Sequence, residues 1–289
     1  MKQFLVLVLA AASGAAAAQT PAVNRMPDGS RDLYIGLGAL SVPRYEGASE
    51  RRVAALPVLQ IELSNGVFIS GMSAGMHLSG APSMEYGPLV ALQPRRTESG
   101  SGDGIGGVDT SSARPGIAIA QPPLVPTRFA QGSNRLAGMD PIGARLQAGG
   151  FFNLYLSART RLTSSLLYGA GNARKGATLA VGVQRIAADI APHHSVALSA
   201  GVTLANRAYH EAFFGVTEQE SVRSGYLAYQ PAAGLKDVHA GARWNWALAP
   251  AWIVTSSLQA SRLAGSANNS PLVTRPTNLT VSTALAYRF

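Results

Sequence analysis

In the stretch "DVHAGARWNWAL" every second residue points the same way chemically. Val238, Ala240, Ala242, Trp244, Trp246 and Leu248 form one set, and His239, Gly241, Arg243, Asn245 and Ala247 form the other. Successive side chains of a strand face opposite sides, so a period of two sorts these sets onto two faces. The pattern recurs along the chain. "AWIVTSSLQASRL" places Trp252, Val254, Leu258 and Ala260 against Thr255, Ser257, Gln259 and Ser261. "SVALSAGVTLA" and "DLYIGLGALSV" behave alike, and "NLTVSTALAYRF" sets Leu279, Val281, Leu285, Tyr287 and Phe289 apart from Asn278, Ser282, Ala284, Ala286 and Arg288. Each stretch runs about 10 to 13 residues, long for a globular strand and suited to a tilted membrane-spanning one.

A soluble β-sandwich also alternates, so the composition of the two faces has to decide. Charged residues make up 13% of the chain against 47% hydrophobic, about half the usual charged share. A water-facing surface needs more charge than that. The less apolar face is rich in Gly, Ala, Ser and Thr with an occasional Arg, as suits a narrow polar lumen. Trp244, Trp246 and Trp252, with Tyr287 and Phe289, fall near strand ends as an aromatic girdle would. The expectation is an all-β protein: a transmembrane antiparallel up-and-down β-barrel spanning residues 32–289.

Eleven strands are legible, near 32–42, 52–62, 67–78, 84–95, 144–155, 158–168, 176–188, 195–206, 236–248, 251–263 and 279–289. Barrels of this kind have an even number. A strand inserted at about 105–121 brings the count to twelve, with ten as the alternative. Short turns at "SNG" (64–66), "APHH" (191–194) and "LAPAW" (248–252) then share one rim. Long loops near 96–143, 207–235 and 264–278 share the other.

The first residues, "MKQFLVLVLAAASGAAAAQT", read as a secretory leader over 1–18. Lys2 is the basic start, an apolar run follows, and Ala16-Ala17-Ala18 is a cleavage signal. A short segment, 19–31, precedes the barrel. The expected location is therefore the outer membrane of a bacterial envelope. Cysteine is absent, so stability owes nothing to disulfides even in a compartment that permits them. The formal charge of +9, carried almost wholly by arginine, suits lipopolysaccharide phosphates or ion pairs inside the barrel. No nucleic-acid recognition motif is present, and none is expected of an exported chain.

Sites for chemistry are scarce. Gly102-Asp103-Gly104-Ile105-Gly106-Gly107 fits G-x-G-x-x-G, but no strand precedes it and no helix follows, so it reads as a loop. His193 and His194 are adjacent and diverge in an extended segment, which suits a turn better than a metal site. None of the five histidines sits in a motif that fixes a nucleophile and base together. No catalysis, cofactor or metal is expected. Arg159, Arg161 and Arg243 are the candidate lumen-facing cations. His193, His194 and Pro250 mark turns able to contact a periplasmic partner.

Three segments carry a family resemblance. They are "YIGLGALSVPRYEGASERR" running into "ALPVLQIELSNGVFIS", then "ANRAYHEAFFGVTEQESVRSGYLAYQPAAGLKD", then "WIVTSSLQASRLAGSANNSPLV" leading to "ALAYRF". In them the chain resembles the MipA/OmpV family of outer-membrane proteins, named after an MltA-interacting protein. The resemblance implies a barrel. For the founding member it implies a scaffold joining a murein lytic transglycosylase to a penicillin-binding protein, with no catalytic residue to carry over. A small-solute channel favouring anions is the alternative, and a membrane enzyme would need a nucleophile and base assembled only on folding. Leu285, Tyr287 and Phe289 also resemble the terminal signal read by the barrel-insertion machinery. Pairing of the last strand with the first would leave no open edge in lipid.

Overall fold

A computed structural model describes residues 31–78, 81, 83–101 and 135–289. Residues 1–30, with the expected leader, and residues 102–134, with the expected strand at 105–121 and the G-x-G-x-x-G stretch, lie outside the described residues. The strands are β1 (Arg31–Pro43), β2 (Arg51–Leu63), β3 (Val67–Ser70), β4 (Ser73–Met76), β5 (Met84–Gln93), a small hairpin of β6 (Arg96–Thr97) and β7 (Gly100–Ser101), then β8 (Arg145–Ser157), β9 (Thr160–Ala170), β10 (Gly176–Ala191), β11 (His194–Ala205), β12 (Gly234–Ala249), β13 (Trp252–Leu263) and β14 (Thr277–Arg288). All but β6 and β7 form one closed antiparallel barrel of twelve strands, each paired with its neighbour in the chain, with β14 returning to β1.

The twelfth strand arises differently from the expectation. The stretch 67–78 is not one strand but two, β3 and β4, folded on each other with Ser70 opposite Ser73. Gly71 opens the turn at φ 57°, the glycine-first form favoured in two-residue hairpins. The alternation of "VFISGMSAGM" carries straight through this turn, which is why it reads as a single strand. β3 meets β2 only through Gln60, Ile61 and Glu62, so the wall is low at this point.

The apolar set of each strand faces outward. Leu37, Val53, Leu146, Leu166, Leu198 and Leu258 are all exposed, a belt whose contact with water would be unfavourable. The inner face is less polar than expected. Leu40, Val42, Leu56, Val58, Ala284 and Ala286 pack together inside β1, β2 and β14. Phe68, Leu89, Ala91, Phe151 and Leu167 form a second inward cluster. Large apolar side chains stand on both faces of β1 and β2, so their sequence contrast understates what is buried.

The seam follows the alternation of the two strands it joins. Tyr34 stands opposite Arg288 and Ser41 opposite Val281. The Phe289 N–H donates to the Leu33 carbonyl at 3.0 Å, and the Arg288 Nε donates to the Asp32 carboxylate at 2.8 Å.

The described parts of the long loops on the opposite rim fold into a cap. It contains α1 (Arg207–Phe214), α2 (Glu218–Ser224) and α3 (Gly265–Asn268). Asn206 caps α1, accepting from the Tyr209 N–H, and Thr217 with Glu220 forms a capping box on α2. Tyr45, Leu136, Met139, Val216 and Leu272 make an apolar core above the barrel. Phe214, Leu263 and Ala267 make a second.

Candidate functional site

Three places bring polar side chains together: the lumen wall, the junction of lumen and cap, and the rim of short turns. On the lumen wall Arg161 faces inward from β9 and is 2% exposed. Its Nε donates to the Gln184 side chain at 2.7 Å, and one terminal nitrogen donates to the Tyr155 hydroxyl at 3.1 Å. The same nitrogen lies 3.7 Å from a Glu85 carboxylate oxygen. Tyr155 donates to the other Glu85 oxygen at 2.7 Å. Register explains the assembly: Tyr155, Arg161 and Gln184 are direct neighbours across β8, β9 and β10. A guanidinium so neutralised braces the wall and offers a passing anion little attraction.

Arg243 also stands on the inner face, opposite Ala197 and Ser257. Arg159 does not. It is exposed on the turn between β8 and β9, because Ser157 pairs with Thr160 and leaves Arg159 in the loop.

At the junction, a register shift in β12 turns both Lys236 and Asp237 inward. Lys236 Nζ lies 2.7 Å from Glu46 and 3.1 Å from Asp237. His239 Nδ1 lies 2.9 Å from Asp237, and Thr203 donates to the same oxygen at 3.2 Å. Lys236 also sits 5.5 Å from the centre of the Tyr209 ring on α1. This network ties the barrel to its cap. Burial raises the Tyr209 hydroxyl well above its ordinary pKa, keeping it neutral beside the lysine. His210, next on α1, is fully buried. Its Nδ1–H donates to the Ala232 carbonyl at 2.5 Å, while Nε2 has no hydrogen-bond partner among the described residues. Burial lowers its pKa below the usual imidazole value.

At the turn rim Trp244 and Trp246 face outward from β12, and Trp252 faces outward from β13. His194 stacks on Trp244 with ring centroids 5.5 Å apart and on Trp246 at 5.4 Å. Trp252, Tyr287 and Phe289 follow edge to face, at 5.0 and 4.8 Å. His194 thus belongs to the aromatic row, whereas His193 and Pro250 are exposed on the turns. His193 takes a left-handed φ of 66° there. Leu285, Tyr287 and Phe289 share the outer face of the last strand, with Leu285 exposed to the surroundings.

Glu85, Tyr155, Lys236 and Asp237 are not among the residues that the sequence singles out as a site. Asp237 and His239 were within reach, since positions two apart on a strand share a face. Glu85 was not, because its approach to Arg161 crosses two strand pairings separated by a long insertion.

The family description "MltA-interacting protein MipA" matches residues 35–289, from the first strand to the last residue. The chain belongs to the MipA family. No curated protein is significantly similar to it in sequence. Among solved structures, a bacterial polysaccharide outer membrane secretin aligns at 8% identity and TM-score 0.45, covering 91% of this chain and 100% of that one. The NanC porin aligns at 6% and 0.42, covering 90% and 100%. The COG4313 outer membrane channel from Pseudomonas putida F1 aligns at 10% and 0.40, covering 93% and 99%. The barrel assignment for this MipA-family chain rests on its own strand pairing, and no activity follows from these likenesses.

Proposed function

We propose that this MipA-family chain is an outer-membrane barrel that acts as a fixed, non-catalytic docking partner for a murein lytic transglycosylase, through its rim of short turns. The family match over the whole barrel carries this reading, since the family is described by its interaction with MltA. Supporting the location are the closed wall, the exposed outward belt of Leu and Val, and the aromatic row at one rim. Residues 1–18 would supply the export leader, and the barrel-insertion machinery would read Leu285, Tyr287 and Phe289. The exposed Arg159, His193 and Pro250 form the periplasmic contact surface. A penicillin-binding protein, as the family resemblance implies, would complete the assembly.

The channel reading is weaker. Of the arginines expected to favour anions, Arg161 is held by Glu85 and Arg159 stands outside the lumen. The test is binding of a purified lytic transglycosylase to the detergent-solubilised barrel by biolayer interferometry. Binding that falls in an Arg159→Ala/His193→Ala/Pro250→Ala variant is expected. No measurable binding by the unaltered barrel would refute the docking role, and a steady anion-selective conductance in planar bilayers would favour the channel.

A further inference from the structure

The geometry points to a docking site for a phosphate-bearing glycolipid of the outer leaflet, built by Arg51, Arg262 and Arg275 on the outside of the seam. The inference rests on the outer-membrane reading above. Arg262 stands on the outer face of β13 opposite Thr277, where β14 begins. Arg275 is two residues ahead of that threonine. Arg51 enters from the far side: it pairs with Pro43 on β1, and its side chain reaches back across β1 toward β14. There it donates to the Leu279 carbonyl at 2.6 Å and to the Ser41 carbonyl at 3.0 Å. Neighbouring strands lie about 4.8 Å apart, so the three residues stand at the ends of four adjacent strands, with the Arg275 N–H bonded to the Gly47 carbonyl of the loop between β1 and β2.

All three arginines are exposed, and none forms an ion pair among the described residues. The nearby carboxylates are engaged elsewhere, Glu50 with Arg44 and Glu46 with Lys236. The Ser41 hydroxyl takes a third N–H of Arg51 at 2.9 Å. A guanidinium has five donors, so Arg51 is held in place by the backbone while two remain for a ligand. Immediately toward the turn rim the outer face becomes apolar, with Leu37, Val53, Leu258, Leu279 and Val281 exposed. A cluster of uncompensated arginines at the edge of an apolar belt sits at the height of lipid phosphates. Guanidinium groups suit phosphate oxygens by charge and by their paired N–H geometry. Acyl chains of the same lipid would lie along the belt beneath.

The test titrates the detergent-solubilised barrel with lipid A, with lipid A stripped of its phosphates, and with inorganic phosphate, reading complexes by native mass spectrometry. Arg262→Gln/Arg275→Gln leaves Arg51 and its seam contacts intact. It should weaken lipid A binding about tenfold or more, while the heat-modifiable gel band shows the variant folded. Equal binding of dephosphorylated lipid A, equal binding by the folded double variant, or binding of inorganic phosphate as tight as that of lipid A would each overturn the assignment. Because binding is read in detergent, it separates this site from the cellular location, which fractionation tests on its own.

Discussion

Replacing Gly38 by alanine should weaken this barrel, although the same change inside a strand ordinarily helps by about 0.5–1 kcal/mol. Gly38 faces the lumen from β1, directly opposite Ala284 of β14. A Cβ placed there would stand 2.5 Å from the Ala284 Cβ and 2.6 Å from its Cα, with the Thr283 carbonyl oxygen closer still. Ordinary contact begins at 3.4 Å. The obstacle is backbone, so the two strands must part by about 1 Å, and overpacking of this kind costs about 1–3 kcal/mol. Parting also stretches seam hydrogen bonds beyond the length at which they hold, in a place where lipid offers no replacement. Gly241→Ala is the matched control. Its nearest neighbour would be the Ser199 hydroxyl at 3.1 Å, a side chain free to turn, and then the Leu258 carbonyl at 3.3 Å. Urea unfolding from vesicles, followed by fluorescence of the three tryptophans, measures both. Gly38→Ala should lose about 1–3 kcal/mol while Gly241→Ala stays close to the unaltered chain. A Gly38→Ala barrel as stable as Gly241→Ala would refute the steric argument for the seam.

Arg161→Met should cost about 1–3 kcal/mol by removing the bonds of a buried guanidinium to Gln184 and Tyr155 and leaving half-buried Glu85 without its counter-charge, and adding Glu85→Gln should recover the part owed to charge; the same urea assay reads both. The cap should loosen as pH falls. His210 is held neutral by burial, opposed by its hydrogen bond to the Ala232 carbonyl and by Glu46 and aided by Lys236, so its contribution is complete above its ordinary value near 6.5 and declines as pH drops below that. Hydrogen exchange in α1 at pH 7.5 and 5 should show this difference, and His210→Phe should remove it. Phe289→Ala takes away the ring that stands 4.8 Å from Tyr287 and, on the assembly reading, should reduce the folded fraction recovered from the outer membrane; normal recovery would count against a terminal signal.

Much of the wall is legible in the sequence. Period-two stretches located β1, β2, β5 and β8–β14 to within a few residues, because each strand contrasts an outer face of Leu, Val and Ile with an inner face of smaller residues. The same signal failed at 67–78, where a glycine turn preserves the alternation while reversing the chain. It failed for the loops too. "RAYHEAFF" and "EQESVRS" are helices whose caps were readable, but too short to stand without the cap core that Tyr45, Leu136 and Leu272 supply from elsewhere in the chain.

The sequence by itself determined that this chain alternates, carries too little charge for a water-facing surface, and ends in a strand complementary to its first. Those are local properties, set by side-chain direction and composition. Only the tertiary structure decided which charges meet. It placed Arg161 against Glu85 and left Arg159 on a turn, folded the cap over Lys236, and brought Arg51 back across β1 toward Arg262 and Arg275. Each of these depends on strand register or on barrel closure, and contacts between distant parts of the chain leave no periodic trace in it.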